Sequence, residues 1–266
     1  MNWPGFLHAT PSIIDTALTG PITINLYLAP DTVLMTTSAA IDASYTLSDI
    51  RFTVDAISID DGLYDQIVAK RLQSGPIPIT FPHFQSFMGG LTTSISTGMT
   101  FGVSSQSVDL LIGTFLKGNH NTFGVGHSDV DTRTSEYFTR TATGLTGSNF
   151  MISGVQYPSF RATPMMAYTQ TIKSLGMAIN SVGGCDQNLN SFDQYLDKYF
   201  AHIVRLNHPT DEEGWSSGLD TRGAAVSMSY NTTGGAAPGI GIYPLVFVAC
   251  TGTLLVGAYR QLQVAL

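Results

Sequence analysis

Apolar residues recur mostly at every second position along this chain, the period of a half-buried β-strand. "GPITINLYLA" sets Ile22, Ile24, Leu26 and Leu28 on one face. "DIRFTVDAISI" alternates Ile50, Phe52, Val54 and Ala56 with Arg51, Thr53 and Asp55, then slips phase to Ile57 and Ile59. That slip predicts a β-bulge or a strand buried on both faces. "GPIPITF" carries Ile77, Ile79 and Phe81, with Pro76 and Pro78 on the other phase, so it reads as an edge strand or an extended connector. "GMTFGVS" alternates Met99, Phe101 and Val103, and "SVDLLIGTFL" is apolar on both faces, as a central strand is. "NFMISGVQYPSF", "YFAHIVRLN", "AAVSMSYN", "YPLVFVAC" and "YRQLQVAL" bring the total to about ten, with turn pairs such as Gly89-Gly90, Gly118-Asn119 and Gly234-Gly235 between them.

Helical spacing is sparse. Met165, Tyr168, Ile172, Leu175 and Ile179 recur at three and four behind Pro164, a first-turn proline. Ser191 followed by Gln194 predicts a capped helix to Asp197. Tyr64, Ile67, Val68 and Leu72 share one face of a third, over 63–72. Many short strands, long loops and few helices argue for an antiparallel β-sandwich of the jelly-roll kind rather than βαβ units.

Composition narrows the partners. A chain of 266 residues can bury a large core without staples. Only 12% of residues are charged, about half the usual share, which suits extensive protein–protein contact. The net charge of −7 and the lack of any basic run exclude binding of nucleic acid through a cationic face. Cys185 and Cys250 fit no metal spacing and imply no disulfide framework. The N-terminal "MNWPGFLHATPS" lacks the cationic and apolar regions of a signal peptide. "IGIYPLVFVACTGTLLVGAY" approaches transmembrane length, but Pro244, Thr251, Gly252, Thr253 and Gly257 interrupt it. It reads as two successive strands joined by "CTGT".

Candidate chemistry is thin. Asp55, Asp60, Asp61 and Asp65 cluster at the end of a strand pattern. Acids just before a helix cap its N-terminus and suit its dipole, so helix capping outweighs general acid–base work here. Asp129 and Asp131 lack the further oxygen donors of a calcium loop. "HPTDEEGW" at 208–215 lacks a second His at helical spacing. His202, in phase with Phe200 and Val204, reads as a core or interface residue. "GVG" at 124–126 and "GIG" at 239–241 lack a third glycine, no Gly-x-Ser-x-Gly is present, and Asn231-Thr232-Thr233 is a sequon without a secretory signal. No catalytic, cofactor-binding or metal-binding residue is assigned, and no cofactor is expected.

Four stretches resemble the double jelly-roll major capsid proteins of polinton-like, adintovirus-like and related eukaryotic DNA viruses. Residues 45–87, "YTLSDIRFTVDAISIDDGLYDQIVAKRLQSGPIPITFPHFQSF", look like the segment joining two rolls. "TFGVSSQSVDLLIGTF" (100–115) looks like early strands of the second roll, and "YPSFRATPMMAYTQTIKSLG" (157–176) like the loop and helix after them. "GTLLVGAYRQLQVAL" (252–266), with Tyr259-Arg260, looks like the terminal strand. The resemblance implies an all-β protein in which residues 1–86 hold the C-terminal part of a first roll and the connector, and 87–266 a complete second roll.

Two rolls need sixteen strands, so the first roll is expected to be completed elsewhere, with the chain truncated or split upstream of Met1, and the isolated chain to aggregate through unpaired edges. The family has no catalytic residues. It implies a structural virion protein, assembled inside a host cell, that forms homotrimeric pseudo-hexagonal capsomers of an icosahedral shell. Its partners would be itself, neighbouring capsomers, and penton and minor capsid proteins. Two other classes stay open: a carbohydrate-binding β-sandwich of the lectin or fibre kind, and a single jelly-roll penton or minor capsid protein.

Overall fold

The computed structural model describes residues 6, 9–10, 14–28, 44–59, 61–120, 139–142, 144–175, 191–207, 218–223, 228–258 and 261–266. Its elements run, in chain order, α1 (Thr16–Thr19), α2 (Asp61–Gln73), β1 (Ile77–Met88), β2 (Gly98–Phe101), β3 (Val108–Lys117), β4 (Leu145–Ile152), β5 (Val155–Ala162), α3 (Pro164–Ser174), α4 (Phe192–Lys198), β6 (His202–Arg205), β7 (Met228–Gly234), β8 (Ile242–Val256) and β9 (Leu262–Ala265). One sheet has the order β1-β8-β3-β6, with β9 added to β8; the other is β2-β7-β4-β5. Every pairing is antiparallel. Leaving β9 aside as an addition to the first sheet, strands 1, 8, 3, 6 against 2, 7, 4, 5 are two nested Greek keys, so the core of the fold is an eight-stranded jelly roll. The expected all-β sandwich is what forms. Its first strand starts at Ile77, inside the residues that the sequence reading gave to the first unit.

β1 is an edge strand because of its prolines. Thr80 exchanges both backbone hydrogen bonds with Thr10, on the side away from β8, while the Gly89 N–H reaches inward to the Pro244 carbonyl. Even-numbered positions therefore point their amides outward, and Pro78 and Pro82, which have none, sit where no inner bond is lost.

Two strand assignments need correction. The apolar run at the C-terminal end does not turn at "CTGT". β8 is continuous over fifteen residues, paired with β1 from Leu245 to Val256. Gly252 permits this: a Cβ there would lie 2.9 Å from the Phe81 ring, which packs across the strand. Conversely, 149–160 is not one strand but a hairpin. Ser153 (φ 49°) and Gly154 (φ 83°) both adopt the left-handed region that a tight two-residue turn demands.

The helices form where spacing and caps place them. The Thr163 side chain accepts from the Met166 N–H ahead of Pro164, and α3 buries Ala167, Thr171 and Ile172. The Ser191 side chain accepts from the Gln194 N–H, and α4 buries Tyr195. In α2, Tyr64, Val68 and Leu72 are half-buried while Ile67 is exposed. Ile179, expected at the end of α3, lies outside the described residues.

Between the sheets an aromatic row forms the core. Phe150 stacks on Tyr230 with centroids 4.8 Å apart, Phe115 lies 6.0 Å from Phe200, and Phe200 meets Tyr195 at 5.5 Å. All five are buried, each removing about 1.5–3 kcal/mol of apolar surface cost. Gly113 lets the row close: a Cβ would sit 2.6 Å from the Tyr230 ring. Gly113→Val is expected to destabilise by about 1–3 kcal/mol through overpacking, read as a lowered urea midpoint at unchanged slope. A satellite core of Ala9, Ile79, Leu254 and Val256 caps the far end of β1 and β8.

The pattern expected to make strands at 22–28 and 50–59 does not do so. Neither segment joins a ladder. Ile50 is 69% exposed, Phe52 55% and Val54 63%, so the phase slip at Ala56-Ile57 produces neither a bulge nor burial. A strand needs a partner for its amides and an apolar surface for its face; among the described residues neither segment finds a partner, and only Ile22 meets apolar side chains, Phe6 and Leu254.

Candidate functional site

His202 is the most polar feature of the core. β6 carries it in the first sheet, β4 places Ser148 in the second, and α3 presents Gln170 at the sandwich edge. Ser148 Oγ lies 2.8 Å from His202 Nδ1, and His202 Nε2 lies 2.9 Å from Gln170 Oε1. Since a carbonyl oxygen only accepts, Nε2 carries the proton and Nδ1 receives the serine hydroxyl. Burial alone pushes the imidazole down to about 4, so it stays neutral at physiological pH. Hydroxyl, imidazole and amide in line have the outline of an activated nucleophile, but His202 and Ser148 are fully buried and no substrate reaches them. The cluster is a pin joining both sheets and α3. Thr114 Oγ1 donates to the Phe200 carbonyl (2.5 Å), Tyr195 Oη donates to the Ala201 carbonyl (2.7 Å), and Thr171 Oγ1 bonds the same carbonyl. The core role read from the phase of His202 is the one found.

Asp109 makes a second polar knot. Its Oδ1 accepts from Ser107 (3.2 Å) and its Oδ2 from Thr251 (2.6 Å). Burial raises its pKa, and the two hydroxyl bonds pull it back. Ser107 in turn accepts from the Gly218 N–H, so the knot ties residues 218–221 to the end of β3. Sequence reasoning missed it, because its members are 144 positions apart at most and share no motif.

The acids singled out earlier do not converge. Asp55 is exposed, Asp65 lies on the exposed side of α2, and Asp60 is outside the described residues, as is any view of the Asp61 side chain. Asp129, Asp131, residues 208–215, Cys185, Tyr259, Arg260, Trp3 and Trp215 also lie outside them. Among the described residues no three His, Cys, Asp or Glu side chains gather as metal ligands do, and no helix is long and apolar enough to cross a membrane. Asn231 sits within β7, half-buried, donating to Ser229 (3.0 Å). Cys250 is buried, which pushes its thiol up.

What the surface offers instead is apolar area. Besides 22–28 and 50–59, Phe84 and Met88 are exposed on β1, and Val155, Phe160, Met165 and Met166 on β5 and α3. Exposed apolar residues that gather on one surface mark sites of macromolecular contact. Among the described residues the candidate site is therefore exposed apolar surface suited to contact with another macromolecule.

No protein-family model matches the sequence, and no curated protein does. Among solved structures, the chain is similar to the PBCV-1 virus capsid (TM-score 0.42, 8% identity, covering 75% of this chain and 54% of that one). It is also similar to PBCV-1 VP54 fitted into a reconstruction of the virophage Sputnik (TM-score 0.41, 9% identity, 72% and 51%). The chain spans about half the length of these structures.

Proposed function

We propose that this chain is a structural virion protein: a major capsid protein of the double jelly-roll kind, from the polinton-like and adintovirus-like branch that its sequence resembles. The observation that carries the reading is the pairing of one complete jelly roll with a preceding region that holds two strand-patterned, exposed segments and, among the described residues, no sandwich of its own. In this reading residues 1–86 include the end of a first roll whose other strands come from outside the described residues, and the roll that opens at Ile77 is the second. Two sandwiches side by side, three copies around an axis, make a capsomer of pseudo-sixfold outline that tiles an icosahedral facet. Low charge supports this, because a charge buried without a partner in a subunit interface costs several kcal/mol. The partners are further copies, neighbouring capsomers, and penton and minor capsid proteins, and the protein resides in the virion.

One observation favours a second reading. Among the described residues a single roll is complete, as in a penton or minor capsid protein. Light scattering separates the two. The purified chain is expected to give a trimer mass; a pentamer would favour the single-roll reading, and a monomer at micromolar concentration would defeat both.

A further inference from the structure

Residues 218–221 lie as a short strap along 103–108, and the residues they hold are the neighbours of a buried thiol. Leu219 exchanges both backbone hydrogen bonds with Val108 at the start of β3 (2.9 Å each). The Thr221 N–H donates to the Ser105 carbonyl (2.9 Å), and the Ser105 N–H donates back to the Thr221 hydroxyl (3.0 Å). That hydroxyl also faces the carbonyls of Val103 and Ser105, at 3.0 and 3.1 Å. Gly218 donates to the Ser107 hydroxyl, and the approach requires a glycine: a Cβ there would stand 2.3 Å from the Val108 carbonyl oxygen.

The thiol is that of Cys250. Val108 is its register partner across the ladder of β3 and β8, and the Ser105 side chain lies against its sulfur. Val103, Ser105, Val108 and Cys250 are all buried. The two residues beside the sulfur are thus the two whose backbone groups the strap occupies.

The hold is slight. Of residues 218–223 only Thr221 is buried, and Leu219 packs only partly against the core. Asp220 and Arg222 are exposed and pair with each other (2.7 Å). A segment with few buried contacts and a handful of hydrogen bonds opens at far lower free energy than the whole domain unfolds.

We propose that 218–221 is a strap that opens as a local unit, and that its closed position is what keeps the Cys250 thiol from solvent. The fold thereby carries a conformational device: a thiol concealed in the closed roll and bared without unfolding of the sheets. Lifting the strap breaks the Leu219 and Thr221 bonds and frees 103–108 from the sulfur. Asp109 sets the latch, since its carboxylate accepts from the Ser107 hydroxyl that in turn holds the Gly218 N–H. The device is independent of the capsomer reading.

The test uses the full-length chain with Cys185→Ser throughout, so that Cys250 is the one thiol, and follows its reaction with DTNB from water to low urea. The expected rate in water exceeds the rate that global unfolding allows, and it hardly changes with urea, because a local opening exposes little surface. Thr221→Val strips the strap of its buried hydroxyl, and Gly218→Ala drives it off the Val108 carbonyl. Each is expected to speed labelling by about tenfold or more. Gly113→Val, which weakens the core away from the strap, is expected to leave labelling in water unchanged. A rate that climbs with the full urea slope of unfolding and rises in Gly113→Val overturns the proposal, since the thiol is then bared only with the whole roll. So does the absence of labelling below the unfolding transition. A rate that neither strap variant alters overturns it too, because other residues then shield the sulfur.

Discussion

Phe150→Ala is expected to destabilise the roll by about 3–5 kcal/mol. Phe150 has no exposure and lies where the sheets meet, 4.8 Å from the Tyr230 ring and 5.6 Å from the His202 ring. Truncation removes its transfer free energy and leaves a cavity that rigid neighbours cannot fill. Both flanking rings are held by the strands that carry them: Tyr230 in β7 pairs directly with position 150, and His202 is pinned by Ser148 and Gln170. For a chain of ordinary marginal stability this is a large share of the total. Urea unfolding followed by tyrosine fluorescence measures it. A loss under about 1 kcal/mol would mean that the site collapses freely, contrary to the close packing described.

Acid should weaken the same region. The folded-state pKa of His202 is depressed to about 4 from an ordinary value of 6.5. Below 6.5 the unfolded chain takes up a proton that the folded chain refuses, so unfolding is favoured as pH falls. The loss begins near pH 6.5 and levels off below about pH 4. Near pH 4.5 it amounts to about 2–3 kcal/mol from this one group. Among the described residues, the titratable side chains near the imidazole are Tyr230 of β7 and, beyond it, Tyr195 of α4. Burial raises the pKa of both phenols, so they stay neutral throughout this range. The signature is a fall in urea midpoint between pH 7 and pH 4.5 that shrinks in His202→Gln. An equal fall in the variant would assign the acid sensitivity to groups other than His202; Asp109 is not among them, because its raised pKa makes the folded chain the better proton acceptor and gives a slope of the opposite sign.

Much of the fold was legible in one dimension. Period-two alternation located β2, β6, β7 and the first half of β1 to within a few residues, because a sandwich strand must show one face to the core. Pro164 and Ser191 announced helix starts, since capping is a local matter of unmade amide bonds. Turn chemistry was read less well. Ser153-Gly154 passed as strand because the apolar pattern runs on through it, and "CTGT" passed as a turn although its threonines and glycine fit a ladder facing Phe81. The apolar outer face of the first sheet was visible in "SVDLLIGTFL", but not what it meant, because a pattern apolar on both sides shows only that two surfaces want cover.

By itself, then, the sequence determined the fold class, the helices α2, α3 and α4, and the core-facing phase of His202, for these depend on spacing along the chain. Only the tertiary structure decided which strands lie side by side, that Ser148, Gln170 and His202 meet across 54 positions, and that Asp109 joins Ser107 to Thr251. It also decided the fate of "DIRFTVDAISI", whose alternation satisfies every local rule for a strand. A strand is completed by a neighbour, and local pattern cannot supply one; among the described residues none stands beside it.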